Sequence, residues 1–164
     1  MILVTVGTHN QGFPRLIKTI DNLAVHIKEK IIIQTGYTNY EPRNCEWFKF
    51  IPYEKFIELI KKSNLIITHG GIGSIMISLQ LKKPTIVVPR LKKFYEHIDD
   101  HQLQIAKELE KQKRVIVVYD IKDLKKTIKQ SKKFIPTRMT KNNKILNIIE
   151  IFIQEVEHEQ NRFH

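Results

Sequence analysis

A turn with three glycines carries the clearest chemical signal in this sequence. Gly70, Gly71 and Gly73 follow a short apolar run at residues 65–68, and an apolar segment with helical character begins near Ser74. Glycines can adopt positive φ and let a ligand approach the backbone, and serine suits the N-cap or first turn of a helix. Free N–H groups there, with the helix dipole, favour a phosphate. The spacing matches neither G-x-x-x-x-G-K-S/T nor G-x-G-x-x-G, and a tight turn without a ligand is the alternative.

Polar residues also follow the next apolar run, residues 85–88. The guanidinium of Arg90 could pair with phosphate oxygens in a fork, or it could simply be solvated. The polar segment beyond it leads into a predicted helix, and capping that helix is the simplest role for its aspartates. The candidate ligand-binding residues of this segment are Glu96, His97, Asp100 and Gln102.

Three further residues complete the set of candidates. Thr8 and His9 follow the first apolar run, residues 2–6, and therefore also lie at a predicted strand end. The pKa range of histidine suits His9 for general-base work. His69 directly precedes the glycines, where it either contacts a bound ligand or is a hydrogen-bonded structural residue. The seven histidines are too scattered to predict a metal site.

Short apolar runs alternate with amphipathic segments, which predicts a doubly wound α/β fold. Continuous apolar strands are typical of parallel sheets covered on both faces, and apolar spacings of three and four indicate helices. In such sheets ligands bind beyond the carboxyl ends of the strands, where the candidate residues would meet. The predicted strands are residues 2–6, 30–35, 47–51, 65–68, 85–88 and 115–118. The predicted helices are residues 13–27, 53–62, a segment following Ser74, 102–111, 121–130 and about 141–156.

Length and composition predict one globular domain. The chain has 164 residues, 41% of them hydrophobic, which is enough to bury a core. We expect a single domain over residues 1–156 and a frayed tail at 157–164. Cys45 is the one cysteine of the sequence, which fits a reducing cytosol. No apolar run is long enough to span a membrane, and the uncharged start of the chain predicts no signal peptide.

The net charge of +11 points to an anionic partner. Anionic lipid head groups, nucleic acid and a phosphorylated substrate are the candidates. The compositional alternative is that lysine is abundant and falls on solvent-facing positions. Nucleic acid is the weakest candidate, because no recognised binding motif and no interleaving of basic and aromatic residues accompanies the charge.

Three segments in order resemble the C-terminal domain of family 28 glycosyltransferases, the nucleotide-sugar-binding half of a GT-B enzyme. They are VTVGTHNQGFPRLI at residues 4–17, THGGIGSI at 68–75 and KKPTIVVPRLKKFYEHIDDHQ at 82–102. More narrowly, they resemble the PssE/EpsF-type subunit of bacterial exopolysaccharide and capsule glycosyltransferases. A more distant likeness is to the soluble subunit of the eukaryotic dolichol-linked N-acetylglucosaminyltransferase.

This resemblance implies an inverting hexosyltransferase that uses a UDP-sugar and needs no cofactor or essential metal. It favours galactose, with glucose or glucuronic acid as alternatives, and a polyprenyl-diphosphate-linked glycan as acceptor. Because a GT-B enzyme has two halves, it also implies a membrane-associated PssD-like partner subunit. The chain would then be cytoplasmic and peripheral to the inner face of the membrane. In isolation, an exposed apolar patch would allow a homodimer.

The resemblance also implies roles for the candidate residues. The glycine turn and Ser74 would hold the donor diphosphate, and the Asp–x–Gln segment ending at Gln102 would contact sugar hydroxyls. His9 is the candidate base, although in family 28 enzymes the base is expected from the other half. Ile77 stands where relatives carry a ribose-binding glutamate, so that contact must come from another group or from the partner.

Two other classes of function stay open at this stage. The chain could be a nucleotide-binding regulatory subunit without turnover, which UDP binding without transfer in the partner's presence would support. It could also be a basic nucleic-acid-binding α/β protein, which salt-sensitive binding to RNA or DNA would support.

Overall fold

The computed structural model describes residues 1–137, which form a six-stranded parallel sheet with helices on both faces. The strands are β1 (Ile2–Thr5), β2 (Ile31–Gln34), β3 (Glu46–Phe48), β4 (Leu65–Thr68), β5 (Thr85–Val87) and β6 (Ile116–Val117). Their spatial order is β3-β2-β1-β4-β5-β6, and each strand is parallel to its neighbours. The predicted doubly wound α/β class is confirmed.

Helices connect the strands and cover the sheet. They are α1 (Pro14–Ala24), α2 (Tyr53–Lys62), α3 (Ile72–Gln80), α4 (His101–Lys111) and α5 (Leu124–Ser131), with 3-10 turns at Lys92–Phe94 and Ile121–Asp123. Pro14 opens α1, where its missing N–H costs no hydrogen bond. Within residues 1–137, no helix has both the length and the apolar character needed to cross a bilayer.

The core divides between the two faces of the sheet because successive strand side chains point in opposite directions. Val4 and Ile67 belong to the cluster that packs against α1 and α5. Leu3 and Ile66 pack on the other face, with Ile60 of α2. On that second face, α3 and α4 form a further cluster with β5 and β6. Covered on both faces, β1, β2 and β4 are buried along their whole length and mostly apolar, as predicted.

The observed elements differ from the predicted ones mainly at their ends. β3 lies at residues 46–48 rather than 47–51, because the chain leaves the sheet before Pro52, the N-cap of α2. The helix predicted at 121–130 begins as a 3-10 turn, where the side chain of Asp120 accepts a hydrogen bond from the backbone N–H of Lys122. The helix predicted at about 141–156, and the domain limit at residue 156, lie outside the described residues.

The strand order reverses between β1 and β4, the two central strands. The connection after β1 runs to β2 on one side, whereas β5 and β6 follow β4 on the other side. Loops that leave neighbouring strands in opposite directions open a crevice at the carboxyl edge of a sheet. Here the first loop, residues 7–13, and the glycine turn border that opening, so the fold brings the two motifs together.

Candidate functional site

The glycine turn between β4 and α3 is shaped by close packing rather than by unusual backbone angles. None of its three glycines adopts positive φ, contrary to one of our expectations. A Cβ on Gly71 would lie only 2.2 Å from Nε2 of His69, and a Cβ on Gly70 would lie 2.4 Å from Cβ of Gln102. Both positions therefore require glycine because protein atoms occupy the space that a side chain would need.

Gly73 differs from the other two glycines because a Cβ at this position would meet no atom within 4 Å. It lies in the first turn of α3, whose N-cap is Gly71. Ser74 also lies in that first turn and is not the N-cap. The N–H groups of a first helical turn lack intrahelical partners and carry a partial positive charge. The open space beside Gly73 is therefore suited to an anion.

A cavity of about 400 Å³ opens beside this turn at the switch point between β1 and β4, and we call it the crevice. Its volume falls within the range of small-molecule binding sites. It combines backbone from the two glycine-containing loops with an apolar and aromatic wall from the start of α2. Its lining residues are Gly7, Thr8, Gln34, Ile51, Tyr53, Phe56, His69, Gly71, Gly73 and Ser74.

The imidazole of His69 lies between the two loops that border the crevice. A Cβ on Gly7, which has φ +72°, would lie 2.5 Å from Cε1 of His69, so both Gly7 and Gly71 leave room for the ring. Burial lowers the pKa of His69 to about 3, and the positive charge of Arg90 adds to the effect. The ring is therefore neutral at physiological pH and separates the loops without bringing a charge to the crevice.

Arg90 is fully buried and does not face the crevice. Its Nη1 donates to the carbonyl oxygens of Gln11, Gly12 and Glu96 at 2.9, 3.0 and 3.1 Å, and its Nη2 donates to the carbonyl of Val6 at 2.9 Å. Burial lowers its pKa to about 10, so it stays charged at neutral pH. The phosphate pairing that we predicted for Arg90 is wrong for this geometry, because its terminal nitrogens hold the first loop in place.

Glu96 is likewise buried and engaged inside the protein. Its carboxylate accepts hydrogen bonds from Nε and Nη2 of Arg15 at 2.7 and 2.8 Å, and from the backbone N–H of Leu91 at 3.1 Å. Nη2 of Arg15 also donates to the carbonyl of Pro89. Glu96 therefore ties α1 to the segment after β5, and its carboxylate is not available for the ligand contact that we predicted.

Gln102 joins the ends of β4 and β5. Its Oε1 accepts hydrogen bonds from the backbone N–H groups of Gly70 and Arg90 at 3.2 and 3.3 Å. Asp100 is exposed at the N-cap of α4, and its Oδ1 accepts from the backbone N–H of Lys92 at 3.0 Å rather than from the helix. We call Arg15, Arg90, Glu96 and Gln102 together the clamp, since they hold the loops at this edge to one another.

His9 and His97 pack against each other, with their ring centroids 4.9 Å apart. Nδ1 of His97 lies 3.0 Å from Oδ1 of Asp99. Nδ1 of His9 accepts a hydrogen bond from the backbone N–H of Gln11 at 3.2 Å. That bond occupies the lone pair of Nδ1, so a base role for His9 would depend on Nε2. The general-base role of His9 stays a prediction.

The described residues hold no group of three His, Cys, Asp or Glu side chains positioned to bind a metal ion. Ile77, on α3, packs against the core cluster that contains Leu3 and Ile60. An apolar core contact therefore occupies the position at which the resemblance implied a ribose-binding carboxylate.

Of the residues predicted from the sequence, five line the crevice: Thr8, His69, Gly71, Gly73 and Ser74.

Sequence reasoning missed Gln34, Tyr53 and Phe56, which line it as well. Gln34 ends the apolar run of β2 and forms a hydrogen bond with the hydroxyl of Thr5. Its polar side chain at a strand end was a usable signal, whereas Tyr53 and Phe56 were indistinguishable from ordinary residues of an amphipathic helix. The clamp residue Arg15 was also missed, because an arginine in a first helical turn resembles a solvated one.

Comparison with protein families and curated proteins agrees with this architecture. The model of the glycosyltransferase family 28 C-terminal domain matches residues 1–156. The human UDP-N-acetylglucosamine transferase subunit ALG13 is 31% identical over 123 residues, which are 68% of this chain and 10% of the human protein. The protein of the same name from Candida albicans is 35% identical over 93 residues, which are 57% of this chain and 30% of that protein. The chain therefore spans only a small part of these curated relatives.

Solved structures share the fold at low sequence identity. The glycosyltransferase of kitacinnamycin superposes with a TM-score of 0.63 at 17% identity, covering 80% of this chain and 34% of that one. A solution structure of ALG13 superposes with a TM-score of 0.60 at 21% identity, covering 90% of this chain and 93% of that one. At these identities the likeness concerns the fold alone.

Proposed function

The chain belongs to the glycosyltransferase family 28 C-terminal domain family, and from that premise we propose that it is the donor-binding subunit of an inverting UDP-sugar glycosyltransferase. The observation that carries the proposal is the crevice at the switch point, with the open first turn of α3 beside Gly73. The donor diphosphate would lie against that turn, and the nucleoside would lie towards Tyr53 and Phe56.

The reaction needs a second half, which a membrane-associated PssD-like partner would supply. The curated relatives are named as transferase subunits, which supports a divided enzyme. A hydroxyl of a polyprenyl-diphosphate-linked glycan, deprotonated by a base from the partner, attacks the anomeric carbon of the donor. The bond from that carbon to the diphosphate oxygen breaks, UDP leaves, and the anomeric configuration inverts. Backbone N–H groups and the dipole of α3 stabilise the charge that develops on UDP, without an essential metal.

The sugar and the setting are the finer parts of the proposal. The resemblance to capsule and exopolysaccharide subunits favours galactose and surface polysaccharide synthesis at the inner face of the cytoplasmic membrane. The names of the curated relatives instead favour N-acetylglucosamine. Both donors carry the same UDP group, so the crevice argument applies equally to each.

The first test measures the thermal unfolding midpoint of the chain with UDP, UDP-galactose, UDP-glucose, UDP-N-acetylglucosamine, GDP and ATP, without added metal. A compound that binds only the folded state raises the midpoint. We expect a rise with UDP compounds alone, and the largest rise among the UDP-sugars identifies the donor. The same series in EDTA tests the independence from metal.

A matched pair of variants locates the binding site. Gly73→Glu and Gly73→Gln place side chains of similar size in the open space beside α3, and only glutamate repels a diphosphate. We expect Gly73→Glu to abolish the rise with UDP and Gly73→Gln to retain more of it. Equal loss in both variants would contradict a diphosphate at this turn. If UDP produces no rise even with the co-expressed partner, the proposed function is wrong.

A further inference from the structure

A second cavity, of about 470 Å³, is lined by Gly12 of the first loop and by residues after β2 and β5. We call it the aromatic pocket. Gly7 and Thr8 line the crevice, whereas Gly12 of the same loop lines the aromatic pocket. The two cavities are therefore neighbours at the carboxyl edge of the sheet. The residues on which its chemistry depends are Arg15, Tyr37, Asn39, Phe94, Tyr95 and Glu96.

Three aromatic side chains of the pocket are turned towards solvent. Tyr37 is 60% exposed, Phe94 is 49% exposed and Tyr95 is 88% exposed. The backbone of Tyr95 has φ 57°, which lies in the left-handed region that residues other than glycine rarely adopt. Non-glycine residues held in such conformations cluster at functional sites. Clustered exposed aromatic rings mark a surface that binds something.

The charges around the pocket are balanced. Arg15 and Glu96 form a two-pronged ion pair at 2.7 and 2.8 Å, and the guanidinium also lies 5.0 Å from the centre of the Phe94 ring. Lys93 places its ammonium 5.0 Å from the same ring but does not line the cavity. The other polar groups, the Asn39 amide and the tyrosine hydroxyls, are neutral. This lining favours a neutral ligand over a phosphate.

The apolar C–H face of a sugar ring can stack on a flat aromatic side chain, while its hydroxyls form hydrogen bonds with neutral amide and hydroxyl groups. Resting on the proposed function, we propose that the aromatic pocket binds the glycan part of the acceptor. A sugar there lies one loop away from the donor in the crevice. The pocket would hold the acceptor through its carbohydrate, while the lipid and its diphosphate extend towards the partner subunit.

The test is an NMR titration of the full ¹⁵N-labelled chain with cellobiose, lactose and N,N′-diacetylchitobiose, each used as a soluble glycan probe. A parallel titration uses UDP. We expect the glycan probes to shift the amide signals of Asn39, Phe94 and Glu96, and UDP to shift those of Gly73 and Ser74.

Tyr95→Ala and Tyr37→Ala should each weaken glycan binding about fivefold, the scale of one aromatic contact. Tyr53→Ala, an aromatic control in the crevice, should leave glycan binding unchanged.

The two titrations separate failure of this inference from failure of the proposed function. If UDP shifts the crevice signals and no glycan probe shifts the pocket signals, the acceptor subsite is wrong and the donor proposal stands. If the glycan probes shift only amide signals around the crevice, the proposal that the aromatic pocket binds the acceptor is also wrong. If only addition of the partner subunit shifts Phe94 and Tyr95, the pocket is a protein contact and the inference is overturned. If the glycan probes shift the pocket signals but UDP shifts no crevice signal, even with the partner subunit present, the donor proposal is overturned instead.

Discussion

The clamp and the crevice are neighbours at the carboxyl edge of the sheet, but their polar groups differ in whether they are bonded inside the protein or face open space. In the clamp, Arg90 is fully buried, and its four terminal hydrogen bonds all end on backbone carbonyls. In the crevice, the first turn of α3 faces open space beside Gly73. One region uses its hydrogen-bonding groups inside the protein, and the other leaves the first turn of α3 open to the crevice.

This difference shows that polar residues at strand ends can have two roles, which are to hold loops in place and to face a cavity. Loops at the carboxyl edge must be held in fixed positions before they can present backbone groups to a ligand. Arg90 fixes the first loop through Val6, Gln11 and Gly12, and Gln102 fixes the glycine turn through Gly70. The clamp would therefore affect the proposed ligand only indirectly, through the shape of the crevice. Substitutions in the two regions should separate stability from binding.

The largest loss of stability is expected for Arg90→Met. The variant leaves the carbonyls of Val6, Gln11, Gly12 and Glu96 without their donor. Because a hydrogen bond from a charged group contributes about 1.5–3 kcal/mol, we expect a total loss of about 3 kcal/mol or more. Urea unfolding measures this loss, and Arg90→Lys should recover part of it by restoring the charge without the planar fork. Arg43→Met, at an exposed arginine, is the control and should change stability by less than about 0.5 kcal/mol. A result for Arg90→Met as small as that of the control would contradict the clamp.

Gly71→Ala should destabilise the protein by about 1–3 kcal/mol, the usual cost of overpacking. The new methyl group would lie 2.2 Å from Nε2 of His69, so the imidazole must move and the first loop must follow. Thermal unfolding measures the loss. A Gly71→Ala variant as stable as the unmodified chain would show that His69 does not hold the two loops apart.

Sequence alone predicted the fold because its signals are local. The apolar strands 2–6 and 65–68 and the helical stripe beginning near Phe13 depend on the spacing of neighbouring residues, and the structure follows them. The glycine turn was also found this way, as were Thr8 and His69 in the crevice. The binding of a ligand at these positions stays a prediction.

The division between clamp and crevice could not be predicted, because it depends on contacts between residues far apart in the chain. Arg90 looked like a phosphate ligand because three of its four carbonyl acceptors, those of Val6, Gln11 and Gly12, lie 78 to 84 residues away in the chain. Glu96 looked free because its partner, Arg15, lies 81 residues away. Burial, which decides whether a polar group can meet a ligand, follows from the three-dimensional packing and not from residue type.

His69→Gln tests whether a neutral histidine ring lies between the first loop and the glycine turn. The pKa of His69 is lowered to about 3 in the folded chain, whereas an unfolded histidine titrates near about 6.5. The unfolded state therefore takes up a proton first, and folding stability falls as the pH drops from about 6.5 towards 3. Between pH 7 and pH 5 the unmodified chain should lose about 2 kcal/mol more than His69→Gln. Urea unfolding at both values measures the difference, with exposed His26→Gln as the control; parallel pH profiles for the unmodified chain and His69→Gln would contradict a buried neutral ring.

Gly73→Ala should give the smallest change and the sharpest contrast with Gly71→Ala. A methyl group at Gly73 would meet no atom within 4 Å, and alanine is the better helix former by up to about 1 kcal/mol. The variant should therefore be as stable as the unmodified chain or slightly more stable, while Gly71→Ala, two residues away, is destabilised. If the diphosphate approaches the turn closely, the methyl group weakens UDP binding, which isothermal titration measures. A destabilised Gly73→Ala would mean that the space beside α3 is filled in solution, and the crevice would then be too small for the diphosphate.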